Sequence, residues 1–251
     1  MKRIAPHALL AALLAATGPG AQAGEVSVAV AANFAGPLTK ITEGFTAATG
    51  HTLKVSAGST GKFYSQIVAG APFEVLIAAD DETPKKLIAE GLAVQGSNFT
   101  YAIGKLVLWS ALPGYVDDQG AVLAVGRFAH LAVANPKLAP YGQAGMEVLK
   151  ARGLADAITP KLVTAESIAQ AYQFVATGNA ELGFVALSQV ATPGKPVIGS
   201  YWLIPASLYG EIRQDAVLLK TGAKNPAAAA LLAYLKSAPA KAVIQAYGYG
   251  H

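Results

Sequence analysis

Cysteine is missing from the 251-residue chain. That excludes a disulfide scaffold, a thiol nucleophile and a cysteine-borne lipid anchor. Catalytic signatures are missing too. No G-x-S-x-G elbow occurs, and His51, His130 and His251 stand far apart with no H-x-x-x-H spacing that would hold a metal. Only 14% of the residues are charged, and the few basic ones form no cluster of the kind that tracks nucleic acid. Beyond the first 23 residues, no uninterrupted apolar run reaches the ~20 residues that a transmembrane helix needs.

What is present begins with MKRIAPHALLAALLAATGPGAQAG. Lys2 and Arg3 precede a short apolar run, and Ala21-Gln22-Ala23 fits an A-x-A cleavage site, so residues 1–23 read as a signal peptide. Its removal leaves 228 of 251 residues and takes away two of the 19 basic side chains, which stand against 15 acidic ones. The formal balance falls from +4 to +2, which argues against a nucleic-acid binder. An exported chain without an anchor is expected to be free in a bacterial periplasm.

The remaining sequence alternates between two kinds of segment. VSVAVAA (26–32), TLKVSA (52–57), FEVLIAA (73–79), HLAVANP (130–136), LVTAES (162–167) and ELGFVALSQ (181–189) read as strands, several of them apolar on both faces. Amphipathic stretches follow them, as in FAGPLTKITEGFTAATG, where Leu38, Ile41 and Phe45 share one face and Gly50 ends the helix. Such alternation predicts α/β units with doubly wound, largely parallel sheets. YAIGKLVLWSAL (101–112) and PVIGSYWLIP (196–205) are long enough to cross between two lobes, and Trp109 and Trp202 on them read as hinge packing. The expected division is 24–102 with 199–251 in lobe 1 and 103–198 in lobe 2. The crevice between lobes is then the default ligand site.

Four helix-opening turns would line that crevice: Ala32-Asn33-Phe34, Gly58-Ser59-Thr60-Gly61, Pro140-Tyr141-Gly142 and Glu166-Ser167-Ile168. A helix start leaves backbone N–H groups unpaired, and with the helix dipole it attracts an anion. Ordinary capping by Ser, Thr or Asn is the competing reading, and the two can coexist. No turn carries Lys or Arg at its tip, so the pattern suits a dehydrated oxyanion held by neutral donors rather than one held by Arg forks. Each partly buried helix end contributes up to ~2 kcal/mol, and each charge-assisted hydrogen bond ~1.5–3 kcal/mol. Several together can offset the dehydration of the anion. Lys62 does not complete a phosphate loop, because Ser56 and Phe63 stand where glycine and a hydroxyl are required; it reads as a solvated charge. Asp80-Asp81-Glu82 reads as dipole-favourable capping of a helix rather than as a metal site.

VAVAANF, GSTGKFYSQIVAGAPFEVLIAAD, LAVANPKLAPYGQAG and AELGFVALSQ together resemble the periplasmic molybdate-binding proteins of ABC transporters, over nearly all of the mature chain. The resemblance implies a two-lobed, type II-like binding-protein fold, each lobe a doubly wound mixed sheet flanked by helices, with the crossing strands as hinge. It implies no enzyme activity and no cofactor. The ligand would be the molybdate or tungstate oxyanion, its metal reached only through its oxygens. The partner would be the membrane permease of an ABC importer, and the protein a monomer. Carried over by position, the resemblance assigns Asn33 as the first-turn donor and Ser59 or Thr60 as the second-turn hydroxyl. Tyr141 and Ile168 become backbone N–H donors, with Tyr141 as a crevice-wall aromatic the other reading. A tyrosine found at one strand end in the family falls here at Ala186, so Asn33 is expected to carry more of the load. Another tetrahedral oxyanion such as sulfate is the alternative ligand.

Overall fold

A computed structural model describes residues 23–250; the signal-peptide reading, with its cleavage site around Ala21 and Gln22, lies outside the described residues. The chain runs β1 (Glu25–Ala31), a 3-10 turn (Ala32–Phe34), α1 (Ala35–Thr49), β2 (Thr52–Gly58), α2 (Thr60–Val68), β3 (Val75–Ile77), α3 (Glu82–Ala89) and β4 (Phe99–Gly104). It continues through β5 (Leu106–Ser110), α4 (Val122–Val125), β6 (Leu131–Ala134), α5 (Pro140–Ala151), α6 (Ala155–Ile158), β7 (Leu162–Ala165), α7 (Ile168–Ala176) and β8 (Leu182–Ala186). The last elements are α8 (Leu187–Val190), β9 (Ser200–Leu203), β10 (Ile212–Leu218), α9 (Pro226–Leu235) and α10 (Ala238–Ala246).

Two five-stranded sheets result, ordered β2-β1-β3-β10-β4 and β7-β6-β8-β5-β9. The strand-helix units pair in parallel, β2 and β3 with β1, and β7 and β8 with β6. The strands next to the crossings pair antiparallel, so each sheet is mixed: β10 with β3 and β4, and β5 with β8 and β9. A strand that returns from the other lobe enters its sheet from the opposite end, which accounts for the reversed direction.

The crossings fall slightly later than the sequence places them. The stretch 101–112 is not one strand but β4 and β5, one in each sheet, broken at Lys105. The return strand β9 pairs with β5 and stays in the second sheet, so the chain crosses back after Leu203 rather than at 199. Trp109 and Trp202 therefore pack inside the second lobe and not at a hinge. Trp109 stacks on Tyr172 and donates from Nε1 to the Ile198 carbonyl at 2.9 Å, and the Trp202 ring lies against Gly120 and under Arg152.

Each lobe buries its own core. In the first, Val26, Val28 and Val30 of β1 meet Phe34, Leu38, Ile41 and Phe45, with Leu231 and Ile244 closing the far side. In the second, Leu106, Leu108, Leu131, Val133, Leu182 and Phe184 share the sheet face that meets α5, while Trp109 and Gly183 on the other face meet α7. At ~25 cal/mol per Å2 of apolar surface, burial on this scale is the main term holding each lobe together. Its effect on the site is geometric: in both sheets the C-terminal ends of the central parallel strands point into the cleft, and the turns that open the following helices meet there.

Candidate ligand-binding site

A small cavity between the lobes is lined by Asn33, Ser59, Thr60, Tyr141 and Ile168, with alanines, Gly58 and Pro140 filling its walls. All four turns singled out in the sequence converge on it. Its volume is about 10 Å3, a tight enclosure far below the ~300–1,000 Å3 of drug-sized ligand pockets. None of its lining residues carries a charge.

Each turn presents helix-start donors. Thr60 is the first residue of α2, with Ser59 as its N-cap in extended conformation. Pro140 opens α5 and has no N–H, so Tyr141 supplies the first donor of that helix. Ile168 opens α7 behind Ser167, whose side chain is occupied with the Gln170 N–H. None of these leading N–H groups can find an acceptor inside its own helix.

The two candidate hydroxyls of the second turn differ in their partners. Thr60 Oγ1 accepts the Ala79 N–H at 2.9 Å. Ser59 Oγ is buried with no hydrogen-bond partner, and among the described residues it is the only buried side-chain polar atom in that state. A buried hydroxyl without a partner costs ~1–3 kcal/mol, so a protein that retains one has a use for it.

Asn33 lines the cavity, but its amide is spent on the framework. Nδ2 donates to Gln214 Oε1 at 2.9 Å and to the Tyr249 hydroxyl at 3.0 Å. It caps no helix, and the donor it has left for the cavity is its backbone N–H. Behind it lies a polar cluster that the sequence did not reveal. Gln214 Oε1 also receives Tyr101 at 2.9 Å, while its Nε2 donates to the Tyr141 hydroxyl at 3.0 Å. The Tyr249 hydroxyl lies 2.9 Å from the Asn33 carbonyl and 3.0 Å from Ser188 Oγ, and Ser188 itself donates to that carbonyl at 2.9 Å. Burial pushes the Tyr101, Tyr141 and Tyr249 phenols above their usual range, so they remain neutral hydroxyls. Ala186 sits fully buried at the start of α8 and contributes no phenol. Two other tyrosines, Tyr141 and Tyr249, bring theirs to the same region. The signal available in the sequence was a glutamine inside the otherwise strand-like run IRQDAVLL.

The lobes touch on either side of the cavity. The Gly61 N–H donates to the Leu138 carbonyl at 2.9 Å. Lys62 pairs with Glu166 of the opposite lobe at 2.6 Å, so it bridges the crevice rim and is not merely solvated. Adjoining the cavity is a wider cleft of about 260 Å3 where Asp80, Asp81, Glu82, Glu147 and Glu211 outnumber Lys137 and Arg213. Asp80 accepts Thr83 N at 2.8 Å and Thr83 Oγ1 at 3.1 Å, a capping role at the start of α3. No group of three potential metal ligands occurs among the described residues.

Two mixed sheets joined by crossing segments, with an uncharged cavity of helix starts between them, define a two-lobed solute-binding protein. A family model for bacterial extracellular solute-binding proteins matches residues 26–250, and the chain belongs to that family. It therefore stands among transport-associated binding proteins, not enzymes. The molybdate-binding protein of Azotobacter vinelandii is 61% identical over 96% of this chain and 98% of its own. That of Rhodobacter capsulatus is 56% identical over 91% and 89%. The solved periplasmic molybdate-binding protein of Azotobacter vinelandii superposes with a TM-score of 0.88 at 46% identity, covering 90% of this chain and 99% of that one.

Proposed function

We propose that this protein captures molybdate between its lobes, through neutral hydrogen-bond donors alone, as the binding component of an ABC importer. The observation that carries the reading is Ser59 Oγ, buried and unpartnered on the wall of an uncharged cavity of helix starts. Relatives at 61% and 56% identity that carry the name of molybdate-binding protein support the choice of anion. In this reading Ser59 donates through its hydroxyl, and Asn33, Thr60, Tyr141 and Ile168 through their backbone N–H groups. The anion's oxygens take all of these donors, and molybdenum itself has no protein ligand.

Donors from both lobes reach the anion together only when the lobes are closed, so binding favours closure. The crossings near Lys105 and between Leu203 and Ile212 act as the hinge, with residues 24–104 and 205–250 forming one lobe and 105–204 the other. Tungstate, of the same shape and charge, binds alongside molybdate. Hydrogen phosphate is rejected because its proton meets no acceptor. Sulfate is rejected by size, since donors spaced for a larger anion cannot all reach it. The mature protein is a monomer in the periplasm, exported by its signal peptide, and it delivers the anion to the membrane permease.

The test is a calorimetric titration of the ligand-stripped mature protein with sodium molybdate, tungstate, sulfate and phosphate, repeated on Ser59→Ala. One-to-one binding of molybdate and tungstate is expected, with no phosphate heat and an affinity at least ~10-fold weaker in the variant, since a hydrogen bond to a charged group contributes ~1.5–3 kcal/mol. Sulfate binding as tight as molybdate binding would overturn the assigned ligand.

A further inference from the structure

The start of α2 spends its donors in two directions. Ser59 and Thr60 face the cavity, while the next N–H, that of Gly61, goes to the Leu138 carbonyl of the other lobe at 2.9 Å. Leu138 is held ready by its own turn, its N–H donating to the Asn135 carbonyl at 3.0 Å. A Cβ built on Gly61 would stand 2.9 Å from Leu138 Cα and 3.0 Å from the Leu138 carbonyl oxygen. Those are backbone atoms, which cannot swing aside as a side-chain tip can. Gly61 is not among the glycines with positive φ, so α2 does not need glycine for its own conformation. Alanine propagates a helix better than glycine does. The bare Cα is therefore explained by the opposing lobe and not by the local fold. The neighbouring Lys62, paired with Glu166 at 2.6 Å, lies along the same seam.

We infer that Gly61 is a positioning residue that sets how far the lobes close over the cavity. The inference rests on the reading of that cavity as an oxyanion site, and it adds the contact that determines how near the second lobe's donors come. Hydrogen bonds weaken steeply beyond their ordinary length. A methyl group wedged at Gly61 would hold the Tyr141 and Ile168 N–H groups back from an anion seated against Ser59 and Thr60. It would leave each lobe intact.

The experiment compares the wild-type mature protein with Gly61→Ala and Gly61→Ser, two variants that add the same Cβ. Each is followed by thermal unfolding without ligand, by calorimetry with sodium molybdate, and by small-angle scattering with and without molybdate. Both variants are expected to unfold at or above the wild-type temperature when ligand-free. They are expected to bind molybdate at least ~10-fold more weakly and to contract less on binding. Variants that bind within ~2-fold of wild type and contract as fully would overturn the inference and leave the proposed function standing. If the wild type ignores molybdate but binds tungstate or sulfate, the assigned ligand fails and the same comparison decides Gly61 with that anion. If none of these anions binds the wild type, both proposals fall.

Discussion

Single buried polar groups carry most of the information at this site, and each has a different bookkeeping of donors. Asn33 gives both amide hydrogens to Gln214 and Tyr249. Asn33→Asp keeps the shape but places an anion beside the cavity and faces Gln214 Oε1 with a second acceptor. It is expected to weaken molybdate binding at least ~100-fold by calorimetry, because a buried like charge opposes the ligand directly. Asp80 obeys another rule. Burial raises its pKa above the ordinary value of 3.8, against the two hydrogen bonds from Thr83 that lower it. A carboxyl with a raised folded-state pKa binds more protons folded than unfolded, so its ionisation costs stability as pH rises from 3.8 through the raised value. Asp80→Asn should remove that cost, so that the denaturant midpoint climbs more steeply as pH rises from 3.8 than it does in the wild type. An unchanged profile would show that Thr83 fully compensates the buried charge.

At the scale of elements, the last strand of the first sheet does more than complete the sheet. The pairing of β10 with β4 shifts between Gln214 and Asp215 and skips Tyr101 on the partner strand. The irregularity turns Gln214 toward Tyr101, Asn33 and Tyr141, while Asp215 takes Asn98 and Thr100 at 3.1 Å and 2.7 Å. Gln214 thus ties a turn of one lobe to a helix start of the other. Gln214→Met and Tyr141→Phe, singly and together, form a double-mutant cycle on molybdate affinity. The pair is expected to couple, each single change costing ~5- to 10-fold and the double little more than either, since both remove the same hydrogen bond. Strict additivity would deny that the bond matters to binding. Alternating runs made the strands and long helices legible from the sequence, and glycine, proline and small polar residues marked the four turns. Gln214 showed only as a polar residue in a strand-like run, and Tyr249 and Ser188 were not legible, because nothing local distinguishes them. Their roles arise from residues 155 and 216 positions away from Asn33 that only the tertiary fold brings together.

For the molecule as a whole, charge and cavity are at odds in a way that can be measured. The cavity lining is neutral, yet the adjoining cleft is predominantly acidic. Burial shields the bound anion from salt, whereas its approach past the carboxylates is screened over a Debye length of ~10 Å at 0.1 M. Molybdate association, followed by stopped-flow, should therefore quicken as salt rises while dissociation stays nearly constant. Slowing of association with salt would mean that a positive surface elsewhere guides the anion. The two-lobed plan itself was readable from the repeated strand-helix unit and the two long apolar stretches. The crossing points were not, since nothing in YAIGKLVLWSAL distinguishes one long strand from two short ones. Pairing partners decided it: β4 joins β10, and β5 joins β8 and β9.

That plan also orders events in time. The five strands of the second sheet come from one uninterrupted stretch, β5 to β9, whereas the first sheet lacks its fourth-position strand until β10 has been made. β10 is interior, flanked by β3 and β4, and α9 and α10, made later still, cover the core behind it. A chain emerging from its N-terminus therefore has everything needed for the second sheet before it can finish the first, and the earlier-made half must wait with one edge of β3 open and β4 without its neighbour in the sheet. Under the proposed export across a membrane, such a delay would keep the leading half open until β10 has followed it through.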